Sequence, residues 1–99
     1  MPVAVFNGTS VTGLAGDTAD SLQKEYGVVP VEVADAPSPV SVTTIYYRTA
    51  DDKNEAQYLA KNYFKKIDAD VAKLEPGSGV DKDAQLAIYL GTDYATATS

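Results

Sequence analysis

The side chains that most often perform catalysis are missing from this 99-residue chain, which contains no His and no Cys. It therefore lacks the usual general base, the thiol nucleophile and the soft metal ligands. Carboxylates, tyrosines and backbone amides remain. Two carboxylates can cleave a glycoside when one of them is held protonated. Nearly every Asp and Glu here falls at a helix cap, in a loop or on a polar helix face, where water keeps a carboxylate ionised and unsuited to that acid role. Asp81 and Asp83, with Asp93 further on, miss the loop spacing of an EF-hand and read as solvated acids. The inventory favours a binding module over an enzyme, one that folds without cofactor or metal.

Two segments have the residue types to present a binding surface. In the first, Val3-Ala4-Val5-Phe6 runs into Asn7-Gly8-Thr9 and then Ser10-Val11-Thr12-Gly13-Leu14-Ala15, a strand feeding a glycine turn and a helix start. Amides of Gly8, Thr9 and Ser10 at such a junction could hold a phosphate or carboxylate. No Walker lysine or full dinucleotide fingerprint accompanies them. The plainer alternative is that Gly8 serves the turn and Asn7 bonds local backbone.

The second segment is aromatic: Tyr46, Tyr47 and Tyr89, from a chain with seven Tyr and no Trp. A phenol ring offers apolar area to a sugar ring while its hydroxyl bonds the polar rim. Neighbours on a strand point to opposite faces, so Tyr46 or Tyr47 lies away from the helices, where Tyr89 would extend an aromatic platform. Alternatively the rings complete the core, as Tyr58 and Tyr63 are expected to do on their helix.

The elements that must position these groups follow from hydrophobic spacing. Val3 to Phe6 form a short continuous apolar run, the pattern of a central strand. Val11, Leu14, Ala15, Ala19, Leu22 and Tyr26 make one helical stripe, capped by Thr12 or Ser10 and ended by Gly27. Residues 28–34 alternate as a second strand, placed at an edge by Pro30. After the proline-rich loop 35–39, residues 42–48 form a third strand.

Asp52 and Glu55 have capping-box spacing ahead of a second helix whose stripe is Ala56, Leu59, Ala60, Tyr63, Phe64 and Ile67. Lys61, Lys65 and Lys66 near its end complement the helix dipole. A brief strand over 71–74, a glycine-rich loop at 75–79, a strand over 84–90 and a frayed tail at 95–99 complete the chain. The order β-α-β-β-α-β-β describes a single α/β domain: a mixed sheet of four or five strands with two helices on one face, a ferredoxin-like variant. Strand order does not follow from sequence.

A formal charge of −6 opposes nonspecific attraction to nucleic acid or anionic membrane surfaces. No apolar stretch approaches the roughly 18 residues of a membrane span, so this segment does not insert directly. Its abrupt start at the first strand suggests a piece of a longer polypeptide.

In their order, the Asn7-Gly8-Thr9 strand end, the Gly13-Leu14-Ala15 helix start, Ile45-Tyr46-Tyr47, the helix from Glu55-Ala56 to Leu59-Ala60, and Leu90-Gly91-Thr92-Asp93-Tyr94 resemble the LytR C-terminal domain family. The resemblance spans nearly the whole chain. It implies an extracytoplasmic accessory domain of a bacterial cell-envelope protein, carried behind a separate catalytic domain or a membrane anchor. The implied role is recognition of a cell-wall polymer such as peptidoglycan, or positioning of an envelope-assembly enzyme. The arginine-rich chemistry of the longer relatives has no counterpart here, where Arg48 is the only arginine. An alternative is a protein interaction module that adds a partner's strand to the exposed edge at 28–34. A small wall hydrolase is a third reading.

Overall fold

The computed structural model describes residues 1–75 and 77–98. Its elements are β1 (Pro2–Asn7), α1 (Leu14–Tyr26), β2 (Val29–Asp35), β3 (Thr44–Tyr47), α2 (Ala50–Lys61), β4 (Asp70–Lys73), β5 (Leu86–Leu90) and α3 (Thr92–Thr98). The five strands form one sheet in the order β2-β1-β5-β3-β4. β1 runs parallel to β2 and β5, whereas β3 is parallel to β4 and antiparallel to β5.

Two units, β1-α1-β2 and β3-α2-β4, thus lie head to tail with β5 as their seam. Passing from one unit to the other reverses both strand direction and the sideways step of the crossover. Two crossovers of one hand then place both helices on the same face. Leu14, Ala15, Ala19 and Leu22 of α1 and Ala56 and Leu59 of α2 share a core with Val3, Val5, Ile45, Leu86, Ile88 and Leu90. This is the expected mixed sheet with two helices on one face. In each unit the two parallel strands are direct neighbours, which distinguishes this variant from a split β-α-β arrangement.

β1 is central and buried on both faces, as its continuous apolar run requires. β2 is an edge strand, as Pro30 predicts. The Val29 amide donates to the Met1 carbonyl, so Pro30 faces outward, where its missing N–H costs nothing. The pairing register shifts there, with Pro30 opposite Val3 and Glu32 opposite Ala4, leaving Val31 as an extra residue.

Both helix starts differ from the sequence expectation. Neither Thr12 nor Ser10 caps α1: its N-cap is Gly13, at φ 80°, without a side-chain cap. Asp52 does not cap α2. Thr49 does, its hydroxyl accepting from the Asp52 amide at 3.3 Å. α2 ends at Lys61, and the following turns carry Phe64 into the core, where its amide reaches the Leu59 carbonyl. Residues 92–98 form α3 rather than a frayed tail because Tyr94 and Ala95 pack on the helix-side core; Ser99 lies outside the described residues.

Candidate functional site

Because β1, β2 and β5 are parallel, their carboxyl ends gather three connections at one end of the sheet. Asn7, the last residue of β1, is buried there. Its Nδ2 donates to the Val11 carbonyl at 2.7 Å, and its Oδ1 accepts from the Thr9 amide at 2.9 Å and the Thr9 hydroxyl at 2.6 Å. The Gly8 amide donates to the Leu90 carbonyl at 2.9 Å. Two of the three amides considered as anion donors are therefore spent inside the protein. Ser10 is left exposed on the turn beside Thr12.

The opposite wall, residues 35–43, is held by a clasp. Val40 donates to the Gly8 carbonyl and accepts from the Thr92 amide. The Asp93 carboxylate accepts from the Thr43 amide at 3.0 Å, the Thr43 hydroxyl at 2.7 Å and the Tyr94 amide at 2.7 Å. Asp93 is therefore no solvated acid and does not join Asp81 and Asp83. A Cβ on Gly91 would stand 2.8 Å from the Ser41 carbonyl and the Thr43 nitrogen, and one on Gly8 would collide with Val40. Gly91 is demanded by close approach of backbone, and Gly8 by the Val40 side chain and the Leu90 carbonyl.

Between these walls lies an open cleft of about 680 Å³. Ser10, Thr12, Ser38 and Thr92 line it, with Pro37 and Pro39 supplying apolar surface. Among the described residues Asp35 is the one charged residue of its lining, which holds no Lys or Arg. Such a lining suits a polyhydroxylated ligand better than a free anion.

The structure joins Tyr46 and Tyr89 and separates Tyr47 from them. Tyr89 stacks on Phe6 with centroids 4.7 Å apart and meets the edge of Tyr46 at 5.3 Å, on the sheet face away from the helices. The rings of Tyr46 and Tyr89 are nearly perpendicular, at 83°, so the pair is a ridge rather than a flat platform. Burial, followed by neighbouring Tyr46 and Glu32, pushes the Tyr89 phenol above its ordinary value. Tyr47 packs on the helix side, with the Lys53 ammonium 5.9 Å from its ring. Phe6 escaped sequence reading because a buried apolar run does not show which residue faces which side. Ala36 lines the cleft and also packs on the Phe6 cluster, making the two regions continuous.

Leu74, Val80 and Ala84 cross the same face beyond the rings. Arg48 tethers that crossing: Nε donates to the Ala84 carbonyl at 2.6 Å and Nη2 to the Asp81 carbonyl at 3.0 Å. From the other side, the Glu32 carboxylate accepts from the Asp81 amide at 2.9 Å.

Among the described residues no group of three His, Cys, Asp or Glu side chains is placed to hold a metal. No described helix is long and apolar enough to cross a membrane. The geometry is that of a small α/β domain offering an open, hydroxyl-lined cleft at the carboxyl ends of its parallel strands. Residues 1–94 match the family model described as LytR cell envelope-related transcriptional attenuator, and the chain belongs to that LytR C-terminal domain family. It is a cell-envelope-associated domain of a family that is not a known catalytic one. Comparison with curated proteins and with solved structures found no match.

Proposed function

We propose that this domain is a noncatalytic, extracytoplasmic module that binds a cell-wall polymer in the cleft between residues 8–13 and 35–39. It would serve as one domain of a longer, membrane-anchored envelope protein, holding wall material near an assembly enzyme. The supporting observation is the bracing of the cleft. Asn7, Gly8, Gly91 and Asp93 are spent on shaping its walls, and the side chains left facing outward are mainly hydroxyls and prolines, with Asp35 the one charge among them. A preformed hydroxyl-lined surface loses little entropy when a sugar polymer docks.

Titration with soluble peptidoglycan or arabinogalactan fragments, followed by amide and tyrosine-ring NMR, tests this. Saturable shifts are expected at Thr9, Ser10, Thr12 and Ser38, with a smaller response at Tyr89 and Tyr46. The paired Ser10→Ala and Ser38→Ala substitutions should weaken binding by about tenfold, as loss of two ordinary hydrogen bonds implies. Absence of shifts, or shifts confined to the opposite end of the sheet, would refute a polymer site here.

The β2 edge favours a second reading, a protein interaction module. Val29, Val31 and Val33 are 51%, 36% and 47% exposed along it. Pro30 and the extra residue at Val31 interrupt its outward ladder, a pattern that blunts edge pairing and leaves 33–35 as the usable stretch. A stoichiometric envelope-protein partner, retained without any binding to purified wall, would favour this reading over the polymer site.

A further inference from the structure

The head-to-tail relation of the two units gives the sheet a second carboxyl end, where β3 and β4 finish. The connection after β3 contributes Arg48, and the connection after β4 contributes residues 74–75, 77–80 and 82. These are the positions equivalent to 8–13 and 35–39 in the first unit. They enclose a cleft of about 420 Å³ lined by Arg48, Lys73, Lys82, Glu75 and the Gly77-Ser78-Gly79 turn.

We propose that this cleft binds a phosphate group, as a monoester or a diester. Three of the chain's eight basic residues line it, against one carboxylate, in a protein of net charge −6. That concentration runs against the acidic balance of the chain. Arg48 uses two of its five N–H donors on the Ala84 and Asp81 carbonyls, and those bonds hold it in place. The remaining donors, the two ammonium groups and the Ser78 hydroxyl supply the charge-assisted hydrogen bonds that phosphate oxygens take. Gly77 and Gly79, at φ 77° and 81°, let the turn between the two lysines fold without side-chain bulk. Repulsion from the acidic remainder of the surface is screened beyond about 8 Å at physiological salt. The local cations therefore dominate at contact.

This site is independent of the polymer cleft, and its test uses different residues and ligands. Inorganic phosphate is titrated into the 99-residue chain at constant ionic strength, with chloride as the control anion, and backbone amides are followed by NMR. Saturable shifts are expected at Gly77, Ser78, Gly79 and Lys82, with none at Ser10 or Ser38. The exposed pair Lys73→Ser and Lys82→Ser should weaken phosphate binding by about tenfold. Ser10→Ala with Ser38→Ala should leave it unchanged.

Parallel arms with a soluble glycerol-phosphate polymer and with phosphatidylglycerol vesicles distinguish a wall phosphodiester from a lipid headgroup, and a response to either supports the site. Equal shifts with chloride, unchanged affinity in the lysine variant, or no response to any of the three phosphate probes would overturn it.

Discussion

The two ends of the sheet have equivalent places in the topology and are built by different means. At the carboxyl ends of β1, β2 and β5 the packing is so close that a Cβ on Gly91 would meet the Ser41 and Thr43 backbone and one on Gly8 the Val40 side chain, and a buried Asn and an Asp saturate the loops. At the carboxyl ends of β3 and β4, among the described residues, none of the non-adjacent ones lies within 4 Å of where a Cβ would stand on Gly77 or Gly79. The crossing there is held by Arg48 and by Glu32 from across the sheet. One end is shaped by packing and is hydroxyl-lined. The other is shaped by charged tethers and is basic. Equivalent positions in a fold can therefore present opposite ligand chemistry, because strands dictate where loops start and side chains dictate what they offer.

Glycine substitution should break this comparison most sharply if it is mistaken. Gly91→Ala forces a Cβ against the Ser41 and Thr43 backbone and should cost about 3 kcal/mol, at the upper end of overpacking. Gly79→Ala meets open space and carries only the strain of its positive φ, about 1 kcal/mol. Urea denaturation of both variants measures the contrast, and equal losses would mean that the two ends are braced alike.

Removing the tether gives a smaller effect. Arg48→Ala should cost about 1.5 kcal/mol, the range for hydrogen bonds from a charged donor. Hydrogen exchange should quicken at Asp81 and Ala84 while the amides of Thr9 and Val11 keep their protection. Acceleration at both ends would show that the loops open together.

The smallest effect is a pH dependence of the first end. Tyr94 follows Asp93 of the clasp, and its hydroxyl lies 3.0 Å from that of Tyr63. Burial first, and then the Tyr94 hydrogen bond, push the Tyr63 phenol well above its ordinary value, although a hydrogen bond from Ser21 opposes this. The folded state thus holds its proton more tightly than the unfolded chain. That stability is complete below about pH 10, where the unfolded phenol titrates, and is lost as pH rises toward the folded value. The urea midpoint should decline above pH 10, and Tyr63→Phe should flatten the decline. An unaltered alkaline limb in that variant would show that other tyrosines carry it.

Much of the fold is legible in the sequence because burial writes periodic patterns. The continuous run at 3–6 marks a central strand, Pro30 marks an edge, and the stripe from Leu14 to Leu22 marks a helix against the sheet. The caps differ from the sequence expectation for a local reason. Ser10, Thr12 and Asp52 are good capping types, but Asn7 draws the first turn around itself and Thr49 reaches the α2 amides first. Of the surface residues singled out, Asn7, Gly8, Thr9 and Ser10 do line one cleft, with Asn7 turned inward as its brace. Tyr47 stands on the other side of the sheet from Tyr46 and Tyr89.

By itself the sequence determined the chemistry available and the elements that could carry it: no imidazole, no thiol, one arginine, and alternating or helical runs of apolar residues. Those properties are local, so they survive without knowledge of partners. Only the tertiary structure decided that Asp93 would close on Thr43, that Phe6 would meet Tyr89, and that Arg48, Lys73 and Lys82 would face one cleft. Each of those meetings joins residues far apart in the chain through strand order, and strand order is set by how whole faces bury against one another rather than by any short stretch of residues.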